Sequence, residues 1–391
     1  MRRALAIAAL LAALCFVAPA LAADAMASVR PGERPAPGSD EDELWYAMGR
    51  IELELQRSPQ LVRDPALNAY VRDVTCKVVG EYCKDLRIYI VDLPWFNASM
   101  APNGMMVIWT GALLRMQNEA DLALVVGHEF GHYRERHTLQ QWRKLKRSSA
   151  FLSTFGVLAT GTGLGVAGML ADIAGIASMS KFSRDKEREA DRIGFERMLA
   201  LGYDPHSGVK LWDGMVREEE ARDYGKPIPA FASHPQTRER RDDLEAAADA
   251  AATTREELGR ERFLSATAPF AGHWLDNELT RRMYSTSVEA IGGLRTTAPA
   301  EQSGLYSFFL AEAYRRRNKP GDRELADGLY AEAIAQPGTP PQTWRERGLA
   351  LKSGGDKNGA VTALRRYLEL DPQAQDRAFV ERYLQELEAN P

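Results

Sequence analysis

The chain has 391 residues, with 50 Lys and Arg against 54 Asp and Glu and a formal net charge of −4. A mildly acidic surface of mixed sign carries no electrostatic footprint for nucleic acid, so no nucleic-acid partner is expected. With 45% hydrophobic residues there is material for packed cores, and the length suggests two or three domains.

Residues 1–22 read as a secretory signal peptide. Arg2 and Arg3 form the charged start, Ala4 to Val17 the apolar run, and Ala20-Leu21-Ala22 the cleavage site. Beyond this leader only Cys76 and Cys83 remain, and in an oxidising compartment they are expected to pair. Residues 23–40, rich in Pro, Gly and Ala, read as a flexible linker. Helical patterns follow over 41–57 and 65–80, the second opening at Asp64-Pro65. Leu86–Val91 alternates as a strand, and Met105–Trp109 is a second, after the turn Pro102-Asn103-Gly104. Met105, Met106 and Val107 are the candidate edge strand, where extended substrate would add as a further strand; an ordinary core strand is the alternative.

Residues 118–143 read as one long helix, with Asn118 as N-cap and Asp121 three residues later. Within it lies His128-Glu129-Phe130-Gly131-His132. Four residues turn the helix by about 400°, which returns the two imidazoles to one face where they can grip one metal ion. Glu129 is turned about 100° from His128, beside the metal rather than on it. Two nitrogen ligands, an open position and a base are what a zinc hydrolase requires. The apolar run Leu122–Gly127 buries the helix, so its histidines need partners. On a continuous helix His137 sits about 140° around from His132 and is not read as a ligand. His206 and His273 are assigned no chemistry.

Residues 150–179 are apolar and Gly-rich, with Asp172 the only charge. A helical hairpin or lid over the cleft, with peripheral membrane contact, is preferred to a transmembrane span. The charged stretch Ser183–Gly194 follows. By itself it is a solvated helix face. Beside the histidine motif, Glu187 becomes the candidate third zinc ligand, with Glu189 its rival. Asp191, one turn on, becomes a hydrogen-bond acceptor for a zinc-bound histidine.

His128-Glu-Phe-Gly-His132 followed by Glu187-Arg-Glu-Ala-Asp191 resembles the H-E-x-x-H … E-x-x-x-D pattern of HtpX-like and prenyl-CaaX-type zinc endopeptidases, the BepA-type periplasmic group in particular. Asn118–Leu122 resembles that family's stretch before the metal helix. Ser233–Arg240 resembles its S-H-P-x-T-x-x-R segment. The resemblance covers about residues 42–245. It implies one zinc on His128, His132 and Glu187, with Glu129 as general base and acid and Asp191 behind a ligand. It implies cleft-facing positions for His234 and Arg240. His234 could meet the developing oxyanion or take the place of water on the metal and hold the enzyme latent.

From about residue 260 the pattern becomes helix pairs. Pro341–Pro372 matches a tetratricopeptide repeat through Trp344, Gly348, Leu351, Ala360, Leu364 and Pro372. A weaker repeat occupies 304–338, and 274–293 offers another pair. The expected fold is mainly α (α+β): a zincin-like metalloprotease domain with a small β-sheet over 41–255, then a helical repeat domain over 256–391. The resemblance implies a periplasmic zinc endopeptidase for misfolded or unassembled envelope proteins, its repeats meeting an outer-membrane assembly machinery. A repeat-based chaperone or adaptor with a silent metal site is the alternative. A peptidoglycan hydrolase is a third reading, with no wall-binding module to support it.

Overall fold

The computed structural model describes residues 26–146, 182–223, 238–251 and 258–389. The proposed leader, the apolar 150–179 segment and His234 lie outside the described residues.

Helix α1 (Asp40–Arg57) is capped by Ser39, whose side chain accepts from the Asp42 amide. Helix α2 (Pro65–Val79) starts at Asp64, which caps the Leu67 amide ahead of a proline in the first turn. The Cys76–Cys83 disulfide staples the end of α2 to the 3-10 turn Gly80–Asp85.

Three strands form one sheet in the order β1-β3-β2, with β1 Arg87–Val91, β2 Ala98–Met100 and β3 Met105–Trp109. β1 runs parallel to β3, pairing Arg87 with Met105, while β2 runs antiparallel, pairing Ala98 with Ile108. Met105, Met106 and Val107, expected at an edge, therefore lie in the central strand. All five residues of β3 are buried because both of its faces are covered. Met106 and Ile108 enter the main core, while Met105, Val107 and Trp109 pack with Leu44 and Met48 of α1. An apolar run without alternation belongs to such a doubly covered strand. The outer strand next to the metal-motif helix is β2.

After the short helix α3 (Thr110–Arg115), Asn118 caps helix α4 (Glu119–Arg134) by accepting from the Asp121 amide. The single helix expected over 118–143 is broken. Arg136 has φ 55°, and helix α5 begins at His137 and runs to Lys146. The break is held by residues 26–39, which were expected as a free linker and instead form a strap. The Val29 amide donates to the carbonyl of Arg134 at 2.8 Å, satisfying an orphan acceptor at the helix end. Arg136 donates to the carbonyl of Ala27 and to Glu33 and Glu41, and Tyr82 donates to the carbonyl of Val29.

Helices α6 (Arg184–Ala200), α7 (His206–Glu220) and α8 (Arg238–Ala250) complete the first half. α9 (Arg260–Thr267) leads to pairs α10 (Ala271–Thr280) with α11 (Tyr284–Arg295), α12 (Ser303–Arg317) with α13 (Asp322–Ile334), and α14 (Gln342–Ser353) with α15 (Lys357–Leu370). α16 (Arg377–Ala389) closes the described chain. One apolar core continues from Val29 through the metal-motif helix to Ala333, while Ala360, Leu364 and Leu387 belong to a separate cluster. Arg115 on α3 pairs with Glu218 of α7 at 2.8 Å and with Glu278 of α10 at 3.0 Å, all three fully sequestered. This buried network ties the helix pairs to the first half. Among the described residues, no helix is long and apolar enough to cross a membrane.

Asp121 accepts from the Ser207 hydroxyl at 2.6 Å and from the Gln117 amide at 2.8 Å. Burial pushes its pKa up to about 6 against those hydrogen bonds. The folded state thus binds this proton more tightly than the unfolded chain, whose carboxyl titrates near about 4. The associated stability is full below about pH 4 and is lost as pH rises through about 6. Relative to Asp121→Asn, the wild-type melting temperature should fall between those pH values, as thermal unfolding followed by circular dichroism will show.

Candidate metal centre

The site is built where α4 crosses α6. Gly127 and Gly194 face each other so closely that a Cβ on Gly194 would stand 2.7 Å from the His128 amide nitrogen. A Cβ on Gly127 would stand 2.8 Å from the Gly194 Cα. No larger residue fits either position without moving a helix. About two turns along α6 from Gly194, Glu187 faces the two histidines of α4.

His128 Nε2 and His132 Nε2 lie 3.1 Å apart. Glu187 places Oε2 3.7 Å from His128 Nε2 and its other oxygen, Oε1, 3.7 Å from His132 Nε2. All three donors lie within 4.8 Å of one another, and all three side chains are buried. Ligands about 2.0–2.1 Å from a tetrahedral zinc ion stand about 3.3 Å from each other, so this donor set already has nearly the spacing such an ion needs. The residues fit zinc by chemistry and by spacing.

Both imidazoles are held from behind. His128 Nδ1 lies 2.8 Å from Asp191. A carboxylate can only accept, so Nδ1 carries the proton and Nε2 presents its lone pair to the cluster. Asp191 is gripped by Arg240 through two contacts of 2.7 Å, and a third nitrogen of that guanidinium lies 3.0 Å from Glu187. Burial alone would push the Asp191 pKa up. The Arg240 charge and the His128 hydrogen bond outweigh it and hold the carboxyl far below its usual range.

Arg240 is therefore buried beneath the ligands, against the Trp212 ring, where it clamps Glu187 and Asp191. Glu129 is buried next to His128 on α4 and within the electrostatic reach of Arg240. Of the two rival glutamates, Glu187 joins the histidines, whereas Glu189 is 44% exposed and lies 3.1 Å from His137. His206 and His273 lie on other surfaces, against Asp249 and Asp92.

Sequence reasoning missed His137. Its ring nitrogen lies 2.8 Å from His132 Nδ1. The helix-angle argument assumed an unbroken helix, and no glycine marks the break at Arg136. The one available signal was a third histidine so close to the motif.

Two histidines and a glutamate gathered from two crossed helices, with a glutamate beside the first histidine, define the metallopeptidase class. Within that class, residues 62–248 match the model of peptidase family M48. It is similar to the beta-barrel assembly-enhancing protease of Escherichia coli K12, 25% identical over 46% of this chain and 39% of that one. It is similar to metalloprotease YcaL of the same strain, 31% identical over 37% of this chain and 55% of the relative. It is also similar to the mitochondrial metalloendopeptidase OMA1 of Schizosaccharomyces pombe, 27% identical over 39% and 44%. The matches span under half the length of the beta-barrel assembly-enhancing proteases.

Removing one partner from a buried charge cluster costs about 3–5 kcal/mol. Arg240→Met should destabilise the metal-free protein by that order in denaturant unfolding. Arg240→Lys, which cannot fork across two carboxylates, should fall between it and wild type.

Proposed function

We propose that the protein is an exported zinc endopeptidase that acts in the periplasm on misfolded or unassembled envelope proteins. The observation that carries the peptidase reading is the buried cluster of His128, His132 and Glu187 with Glu129 beside it. The substrate class rests on similarity to relatives, one of which is a beta-barrel assembly-enhancing protease. Export rests on the leader-like start of the sequence and agrees with the Cys76–Cys83 disulfide.

His128, His132 and Glu187 would hold the metal. When bound, zinc supplies a Lewis acid that brings the pKa of water toward neutrality. Glu129 accepts the proton of the attacking water and returns it to the leaving amine. Asp191 keeps His128 in the tautomer that presents Nε2, and Arg240 holds Asp191 and Glu187 at their stations. Substrate in extended form would add to the sheet at β2, the outer strand against α4, with the hydrogen bonds of a further strand. His234 would supply either an oxyanion contact or a latency ligand, as the sequence suggests.

A second reading, a helical-repeat chaperone or adaptor with a latent site, draws on the C-terminal helix pairs. A cavity of about 330 Å³ opens between α13 and α14, lined by Arg315, Asn318, Arg323, Asp327 and Glu346 among others. We assign it to contact with client or assembly-machinery protein.

Zinc content and cleavage of an unfolded model protein, measured on wild type and Glu129→Gln, separate these readings. The peptidase reading expects about one zinc in each and a loss of cleavage by several orders of magnitude in the variant alone, since the base sits on the reaction path. Zinc in both with cleavage in neither favours the adaptor, and no zinc in either removes the metal site.

A further inference from the structure

The two histidines of the motif are supported unequally. His128 leans on a carboxylate clamped by an arginine. His132 leans on another imidazole. His137 places Nδ1 2.8 Å from His132 Nδ1, and its Nε2 lies 3.1 Å from a Glu189 carboxylate oxygen. His137 is 1% exposed although it opens a new helix after the break at Arg136. The Phe182 ring stacks on His132 at 4.1 Å and reaches His137 at 5.7 Å, screening both rings from water.

The proton positions along this chain follow from its outer end. The Glu189 carboxylate can only accept, so His137 Nε2 carries the proton. With its one proton on Nε2, the neutral His137 ring offers a lone pair at Nδ1, 2.8 Å from His132 Nδ1. His132 must then donate from Nδ1, and its Nε2 lone pair is turned toward His128 Nε2 and Glu187.

We infer that His137 and Glu189 form a positioning relay that fixes the tautomer and orientation of His132, the counterpart of the Asp191–Arg240 clamp behind His128. The inference rests on reading His128, His132 and Glu187 as metal ligands. It deepens that reading by adding two residues that hold no metal and touch no substrate. α6 thereby serves both ligands: Glu187 completes the cluster, Asp191 supports His128, and Glu189 supports His132 through His137. The break between α4 and α5 acquires a purpose, because a continuous helix would have carried His137 away from His132.

The test is zinc affinity by competition with a chelating indicator, together with 15N NMR of the histidine side chains in the metal-free protein. Wild-type His132 should show the Nδ1–H tautomer. His137→Ala should mix the tautomers and weaken zinc binding by about 10–100-fold, the usual effect of losing a residue behind a ligand. His137→Asn, whose Oδ1 can accept where Nδ1 did, should recover part of both. A residue that only filled space would not be rescued by the shorter asparagine. Glu189→Ala, at a half-exposed position that tolerates truncation, should shift both readouts in the same direction by less, and it carries the test if His137→Ala fails to fold. Unchanged zinc affinity and an unchanged tautomer in Glu189→Ala and in a folded His137→Ala would overturn the relay. Wild type without zinc but with the stated tautomer would instead overturn the ligand reading and leave the relay standing.

Discussion

Everything at the site depends on two helices touching backbone to backbone. A helix pair spaced by ordinary side chains keeps its axes about 8–10 Å apart. At Gly127 and Gly194 there is no room even for a methyl group. That contact lets the short side chain of Glu187 reach two histidines on the neighbouring helix. It also sets the phase of α6, so that Glu187 faces the two histidines while Asp191 reaches His128 and Glu189 reaches His137. The apolar core around Leu122, Val126 and Phe130 presses α4 into this contact, and Ile193 and Met198 do the same for α6.

Polar groups sunk this deep would be a liability if any were left unmatched. They are matched in two chains that run outward from the cluster. One passes from His128 through Asp191 to Arg240, whose positive charge also steadies Glu187. The other passes from His132 through His137 to the half-exposed Glu189. The first ends on a buried cation and the second at the protein surface. A similar logic joins the two halves of the molecule, where Arg115 spans Glu218 and Glu278 within a continuous apolar core.

Much of this was legible in the sequence because it is written locally. Asn118 caps α4, Asp64 and Pro65 open α2, and the period of four residues puts His128 and His132 on one face. The mainly helical fold with a small sheet follows from the same patterns. What could not be read depends on distant partners. Arg136 adopts a positive φ with no glycine to announce it, because its guanidinium is anchored by Ala27, Glu33 and Glu41 from nearly a hundred residues upstream or more. The central place of β3 is set by β1 and β2 pairing along its two edges, and the strand β2 is too brief to leave a pattern. The role of Arg240 was invisible because only the folded chain brings α8 beneath Glu187.

The claim that the rest stands on is that His128, His132 and Glu187 share one zinc ion. X-ray absorption at the zinc edge, on wild type and on Glu187→Gln, reads that shell directly. The account predicts at least two imidazole nitrogens and a carboxylate oxygen at about 2.0–2.2 Å, with the oxygen lost and zinc occupancy reduced in the variant. Failure to take up supplied zinc, or a first shell that Glu187→Gln leaves unchanged, would contradict it.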